Sequence, residues 1–375
     1  MATINYLTRI EFDFGSIQLL PSLMSEVGIK RPLIVTDPYL ANSDMLKDLL
    51  MHIEHTRPEL FVDTPQNPHE GAVKLAVSTY QSSKCDGIIA VGGGSSIDLA
   101  KGVALLATHE GPLEQYAVIL GGLNKITPKV APVIAIPTTA GTGSEVGRGA
   151  LITLNDGRKL GFISPHLIPK IALCDPQLTI SLPPRLTAAT GMDALTHCIE
   201  TFLSPKVNPP ADAIAIDGAR RAAKWIEIAF KDGANAEARW NMMMASLQGG
   251  LTFQKGLGAV HSMSHPLGGL KNITLHHGTL NALILPAVLK FNRELCTDKL
   301  QIIEQAIGVP SNTKLEDFIS DLNQRLSLPK SLSEIGVNRD MLPKMIEGAL
   351  NDHSTASNPR PLSKQDFIFL FDQVF

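Results

Sequence analysis

The sequence predicts an N-terminal α/β domain with a parallel sheet over residues 1–182, followed by an all-helical domain over residues 183–375. Three observations predict it. Short β-type runs alternate with helical stretches in the first half, and a glycine-rich turn joins one such run to a helix. Beyond Leu182-Pro183-Pro184 no convincing strand pattern recurs. Strands separated by helices need crossover connections, and those helices cover both faces of a parallel sheet.

Taken in order, Pro32-Leu33-Ile34-Val35-Thr36 is a strand that ends at Asp37-Pro38, and a helix follows from Ser43 to His52. Glu70 to Ser82 is a second helix. Gly87-Ile88-Ile89-Ala90-Val91 is a buried strand that runs into Gly92-Gly93-Gly94-Ser95, after which Ser96 to Ala107 reads as helical, with Ser95 or Ser96 as its N-cap. Pro132-Val133-Ile134-Ala135-Ile136 is a third strand. Asn155-Asp156-Gly157 joins two apolar runs, 151–154 and 160–163, and reads as a β-hairpin. In the second half, helices are expected over 186–203, 210–230, 237–255, 259–268 and 279–292.

Composition narrows the function. With 44% hydrophobic and 18% charged residues, the 375-residue chain is an ordinary soluble globular protein with room for two cores. A net charge of −3 argues against a broad basic surface for nucleic acid or anionic lipid. No apolar run reaches the roughly 18 residues of a membrane span. The start, Met1 to Tyr6, has neither the basic nor the apolar part of a secretion signal. Cys85, Cys174, Cys198 and Cys296 form no CxxC pair, which fits free thiols in a reducing cytoplasm.

Two polar loops suit a dinucleotide. Gly92, Gly93, Gly94 and Ser95 follow a strand and open a helix, so backbone N–H groups and positive partial charge face an incoming pyrophosphate. The pattern is not GxGxxG, and the acidic strand-end residue, Asp37, lies upstream of the glycines. Its carboxylate suits ribose hydroxyls and repels a 2′-phosphate, so NAD is favoured over NADP. The second loop, Pro137-Thr138-Thr139 to Glu145, offers hydroxyls and N–H groups at another strand end.

Asp193, His197, His261 and His277 could close round one divalent metal. Asp193 and His197, like His261 and His265, are spaced i, i+4 and so share a helix face. One carboxylate with three imidazoles suits Fe(II) or Zn(II), and such an ion with an open position can polarise a carbonyl.

These motifs resemble those of the iron-containing, or group III, alcohol dehydrogenases. The resemblance rests on Gly92-Gly93-Gly94-Ser95 with Asp98 and Lys101, on Pro137-Thr138-Thr139 to Glu145, on Gly191-Met192-Asp193-Ala194 to His197, and on His261 to His265-Pro266-Leu267-Gly268. It runs from about Phe14 to Asn292, with a weaker echo at Asn358-Pro359-Arg360. It implies a dinucleotide-binding domain, a helical metal domain and an active site in the cleft between them. It also implies homo-oligomers, dimers or larger. Carried over by motif, Asp193, His197, His261 and His277 match the metal ligands, and His277 is chosen over His276 because the family's ligand directly precedes a glycine, here Gly278. Asp37, Gly94, Ser95, Asp98, Thr138, Thr139, Thr142 and Lys159 fall where the family contacts NAD(P). His265 matches a histidine beside the metal, and we expect it to serve a proton relay, since an imidazole of pKa about 6.5 suits that task.

Within the family, stretches such as Arg158-Lys159-Leu160-Gly161-Phe162 and His276-His277-Gly278-Thr279-Leu280-Asn281 are similar to those of bacterial 4-hydroxybutyrate dehydrogenases. A carboxylated substrate needs a cationic anchor. Arg148, between two glycines, is the first candidate, Lys271 the second and Lys255 the third. Rival readings are a dehydroquinate synthase-like lyase, which needs several cations for a phosphorylated substrate, and a non-catalytic NAD-binding protein. Metal-free relatives such as maleylacetate reductases lack the ligand set kept here.

Overall fold

The computed structural model describes residues 8–270 and 272–375, so Lys271 lies outside the described residues. Two compact units make up the chain. One comprises residues 8–139 and Ser144–Ile180, and the other Ala140–Gly143 and Ser181–Phe375.

The first unit is a six-stranded parallel sheet built from β1 (Arg9–Phe12), β2 (Pro32–Val35), β3 (Glu59–Phe61), β4 (Gly87–Gly92), β5 (Val133–Pro137) and β8 (Ile171–Cys174), in the order β1-β8-β5-β4-β2-β3. The inner strands are buried along their whole length, as a sheet covered on both faces requires. Helices α1 (Leu20–Val27) and α2 (Asp44–Ile53) pack into a core with Ile34, Ile89, Val91 and Ile134 on one face. Helices α3 (Glu70–Ser82) and α4 (Gly94–Leu106) pack with Leu33, Val35, Ile88 and Ala90 on the other. The hairpin of β6 (Gly149–Thr153) and β7 (Lys159–Ile163) is antiparallel and turns at Gly157, whose φ of 89° demands glycine.

Three strands escape the sequence reading: β1, β3 and β8, each of three or four residues and too short to show a period. The N-cap of α4 is also corrected. It is Gly93, two residues before the earlier of the two serines expected, because the chain leaves β4 through Gly92 (φ 147°) straight into the helix.

The second unit is helical: α5 (Pro184–Leu203), α6 (Pro209–Lys231), α7 (Ala236–Leu251), α8 (Ala259–Gly268), α9 (His277–Ile307), α10 (Leu315–Arg325), α11 (Leu342–Leu350) and α12 (Lys364–Gln373). No strand occurs there among the described residues. The long α9 carries Pro286 and is broken by non-helical geometry at Cys296. Glycines let α5, α6 and α7 approach closely: a Cβ on Gly218 would lie 2.6 Å from Cys198 Sγ, and one on Gly249 3.0 Å from the Cβ of His197. All four cysteines are free and buried. Among the described residues no helix is long and apolar enough to cross a membrane.

Candidate functional site

In the α/β unit, the chain doubles back across the sheet between β2 and β4, and the loops leaving those strands hold Asp37 and the glycine turn. Open α/β sheets bind ligands at such a switch point. One oxygen of Asp37 accepts from the N–H groups of Tyr39 (2.9 Å) and Leu40 (3.0 Å), and the other lies 3.6 Å from where a Cβ on Gly92 would stand. Gly93 leaves the start of α4 without a side-chain cap. Thr138 N–H donates to the carbonyl of Gly92 (3.0 Å), and a Cβ on Gly93 would sit 3.3 Å from the Thr139 side chain, so the glycine and threonine turns are contiguous. The Ser95 hydroxyl donates to the carbonyl of Gln66, and Lys159 Nζ to Asn67 Oδ1 (3.0 Å). Thr142 groups with the helical unit.

Asp98 is committed to the protein itself, accepting from Ser144 Oγ (2.6 Å) and Leu151 N–H (2.9 Å). Beside it the buried Lys101 ammonium donates to the carbonyls of Ser144, Gly147 and Gly149 at 2.7–2.8 Å. Together they fix the segment that carries Glu145 and Arg148. Burial pushes the Glu145 carboxyl up to about 7 and the Lys101 ammonium down to about 8.

In the helical unit, α5, α8 and the first residue of α9 bring four donors together. Asp193 Oδ1 stands 3.6 Å from His197 Nε2, 4.0 Å from His261 Nε2 and 3.8 Å from His277 Nε2. A tetrahedral ion with bonds of about 2.1 Å has ligand–ligand edges of about 3.4 Å, and the four donor atoms here all lie within 4.8 Å of one another, so a modest contraction closes the set on one cation. The Nδ1 atoms face protein acceptors instead: His197 meets the carbonyl of Gly141 (3.2 Å), His261 meets Glu200 Oε2 (2.6 Å), and His277 lies 3.5 Å from Ser264 Oγ. These partners turn each Nε2 lone pair inward. Burial lowers His197 to about 4, so its imidazole is neutral, the form that ligates a metal. The lone pairs already converge on one N–H donor, since Asn281 Nδ2 lies 2.6 Å from Asp193 Oδ1 and 3.1 Å from both His261 Nε2 and His277 Nε2. The Asn281 Oδ1 is buried without a partner among the described residues. These residues fit a divalent ion by donor chemistry and by spacing. His276 lies outside this cluster, as the N-cap of α9.

His265, one turn after His261, gives its Nδ1 to Asp352 Oδ2 at 2.8 Å and stacks 5.5 Å from His277. Of the expected anchors, Arg148 is exposed, and its guanidinium has no hydrogen-bond or ion-pair partner among the described residues. Lys255 is fully buried, paired with Asp212 and directed at the carbonyl of Phe202, so its charge is already used. Sequence reasoning missed Glu200, Asn281 and Asp352. Glu200 had a faint signal, lying one turn after His197 on the same helix.

Residues 8–176 match the family described as iron-containing alcohol dehydrogenase, and residues 187–375 match its C-terminal domain. The chain belongs to the iron-containing alcohol dehydrogenase family. It is 52% identical to a 4-hydroxybutyrate dehydrogenase of Cupriavidus necator, with 100% of both chains covered. It is 36% identical to a 1,3-propanediol dehydrogenase of Klebsiella pneumoniae, covering 97% of this chain and 96% of that one. Among solved structures, a 1,3-propanediol oxidoreductase superposes with a TM-score of 0.90 at 34% identity over all of both chains. A sulfoacetaldehyde reductase of Bifidobacterium kashiwanohense, solved with NAD+, gives 0.89 at 26% identity over 100% and 98% of the two chains. The chain is thus a metal-dependent, NAD-linked alcohol dehydrogenase acting on a small molecule, and neither the lyase nor the non-catalytic reading is favoured.

Proposed function

We propose that this alcohol dehydrogenase interconverts 4-hydroxybutyrate and succinate semialdehyde, using NAD bound by the domain of residues 1–182 and Fe(II) or Zn(II) held by the domain of residues 183–375. The observation that carries the substrate is the full-length 52% identity to a relative that bears that activity as its name. The proposed metal ligands are Asp193, His197, His261 and His277. The proposed NAD contacts are the glycine turn Gly92–Gly94, Ser95, Thr138, Thr139, Thr142 and Lys159, with the free oxygen of Asp37 toward the ribose. When bound, the ion supplies Lewis acidity at the substrate oxygen and NAD supplies or accepts the hydride.

The chain's own side chains supply the rest. Glu200 and the Gly141 carbonyl hold His261 and His197 in register. Asp352 accepts a hydrogen bond from the Nδ1–H of His265, which leaves Nε2 as an acceptor, and we assign that atom the proton exchanged with the alcohol. Burial lowers His265 to about 4, so its imidazole is neutral at pH 7. Arg148, exposed and with no partner for its guanidinium among the described residues, is the proposed seat of the substrate carboxylate.

The test compares succinate semialdehyde with butanal in wild type and Arg148→Ala. A lost charge-assisted contact costs about 1.5–3 kcal/mol, so kcat/KM for the carboxylated aldehyde should fall roughly 10- to 100-fold while butanal is unaffected. Equal losses, or none, remove Arg148 as the anchor. A wild-type enzyme that prefers butanal to succinate semialdehyde refutes the substrate.

A further inference from the structure

We propose that His265, Asp352 and His353 form a second divalent-cation site, adjacent to the Asp193 cluster and independent of it, for a borderline transition ion such as Zn2+ or Co2+. One donor atom from each residue lies within 4.8 Å of the others. Asp352 presents one oxygen to each histidine: Oδ2 is 2.8 Å from His265 Nδ1, and Oδ1 is 3.7 Å from His353 Nδ1. The two rings lie nearly parallel, 13° apart with centroids separated by 5.6 Å.

The longer distance decides the reading. At 3.7 Å the His353 nitrogen is beyond hydrogen-bond range of the carboxylate. Yet two ligands on one tetrahedral ion stand about 3.4 Å apart. Orienting His265 needs one carboxylate oxygen and no second imidazole. Two imidazoles and a carboxylate select a transition ion over Mg2+ or Ca2+, which prefer all-oxygen shells.

The triad is also pre-set and reachable. Oδ1 of Asp352 accepts from Ser354 N–H (2.8 Å), which fixes the loop after α11. Gly348 on α11 faces Pro266 on α8 so closely that a Cβ would lie 2.7 Å from the proline Cβ. The side chains of His265 and Asp352 are only 3% and 6% exposed, whereas the His353 side chain is 22% exposed and opens the group to solvent. An ion bound here would claim Nδ1 of His265 and hold the ring proton on Nε2, withdrawing that atom as a base.

Equilibrium dialysis of chelator-treated enzyme against zinc, with bound ions counted by mass spectrometry, tests the site. His353→Ala and His353→Gln should each hold one ion fewer per chain than wild type. The same difference should persist in an Asp193→Asn background, where the first cluster has lost a ligand. With Co2+, wild type should show a ligand-field band that both His353 variants lack. Equal ion counts in wild type and both variants, with matching cobalt spectra, overturn the proposal.

Discussion

Glu200 shows how one side chain can govern a site it does not enter. Its Oε2 faces His261 Nδ1, its Oε1 accepts from the N–H of Val260 (2.8 Å), and it is buried. A ligating imidazole held by a carboxylate is oriented and made more basic. Glu200→Gln should therefore weaken metal affinity about 10- to 100-fold, as read by competition with a coloured chelator, while circular dichroism stays unchanged. Undiminished affinity would reduce Glu200 to a packing role. At this scale the sequence exposed what repeats at helical spacing: Asp193 with His197, and His261 with His265. It concealed Asp352, 87 residues from His265, and Asn281, 88 from Asp193. No local pattern encodes such pairs, because tertiary packing creates them.

Elements carry the proposed ligands, so their packing sets the geometry. Gly218 on α6 sits against Cys198 on α5 and Gln248 on α7, with no room for a side chain. Gly218→Val should push α6 off the helix that bears Asp193 and His197. Overpacking of this kind costs about 1–3 kcal/mol, so the urea midpoint should drop and the purified variant should retain less metal. An unshifted midpoint would mean that α6 yields freely. Long helices were legible because their apolar faces recur over many turns. Predicted 259–268 and 70–82 coincide with α8 and α3. Short strands were not legible: β1, β3 and β8 owe their existence to neighbours in the sheet.

Across the whole molecule, each unit buries charge for its own purpose, and the α/β unit's buried acid makes stability pH-dependent. Glu145 titrates near 7 folded, against a usual value of 4.5. Between those values the folded chain holds a proton that the unfolded chain has released, so stability from this group is full below 4.5 and lost as pH rises toward 7. Glu145→Gln removes the titration. The urea midpoint of wild type relative to Glu145→Gln should thus fall between pH 5 and pH 7.5, and a constant difference would show that the carboxyl ionises normally. The two-unit architecture itself was readable from the change of texture near residue 182. The segment Ala140–Gly143 was not, since only the folded chain places Gly141 against Thr190 and Gly143 against Gly250.

The thiols give each unit an internal clock. Cys85 and Cys174 are enclosed in one core, Cys198 and Cys296 in the other, and burial pushes Cys85 to about 11 and Cys198 to about 12. A thiol kept protonated and covered does not meet an alkylating reagent. Adduct formation therefore times how often each core breathes open, one unit at a time, without any engineered reporter.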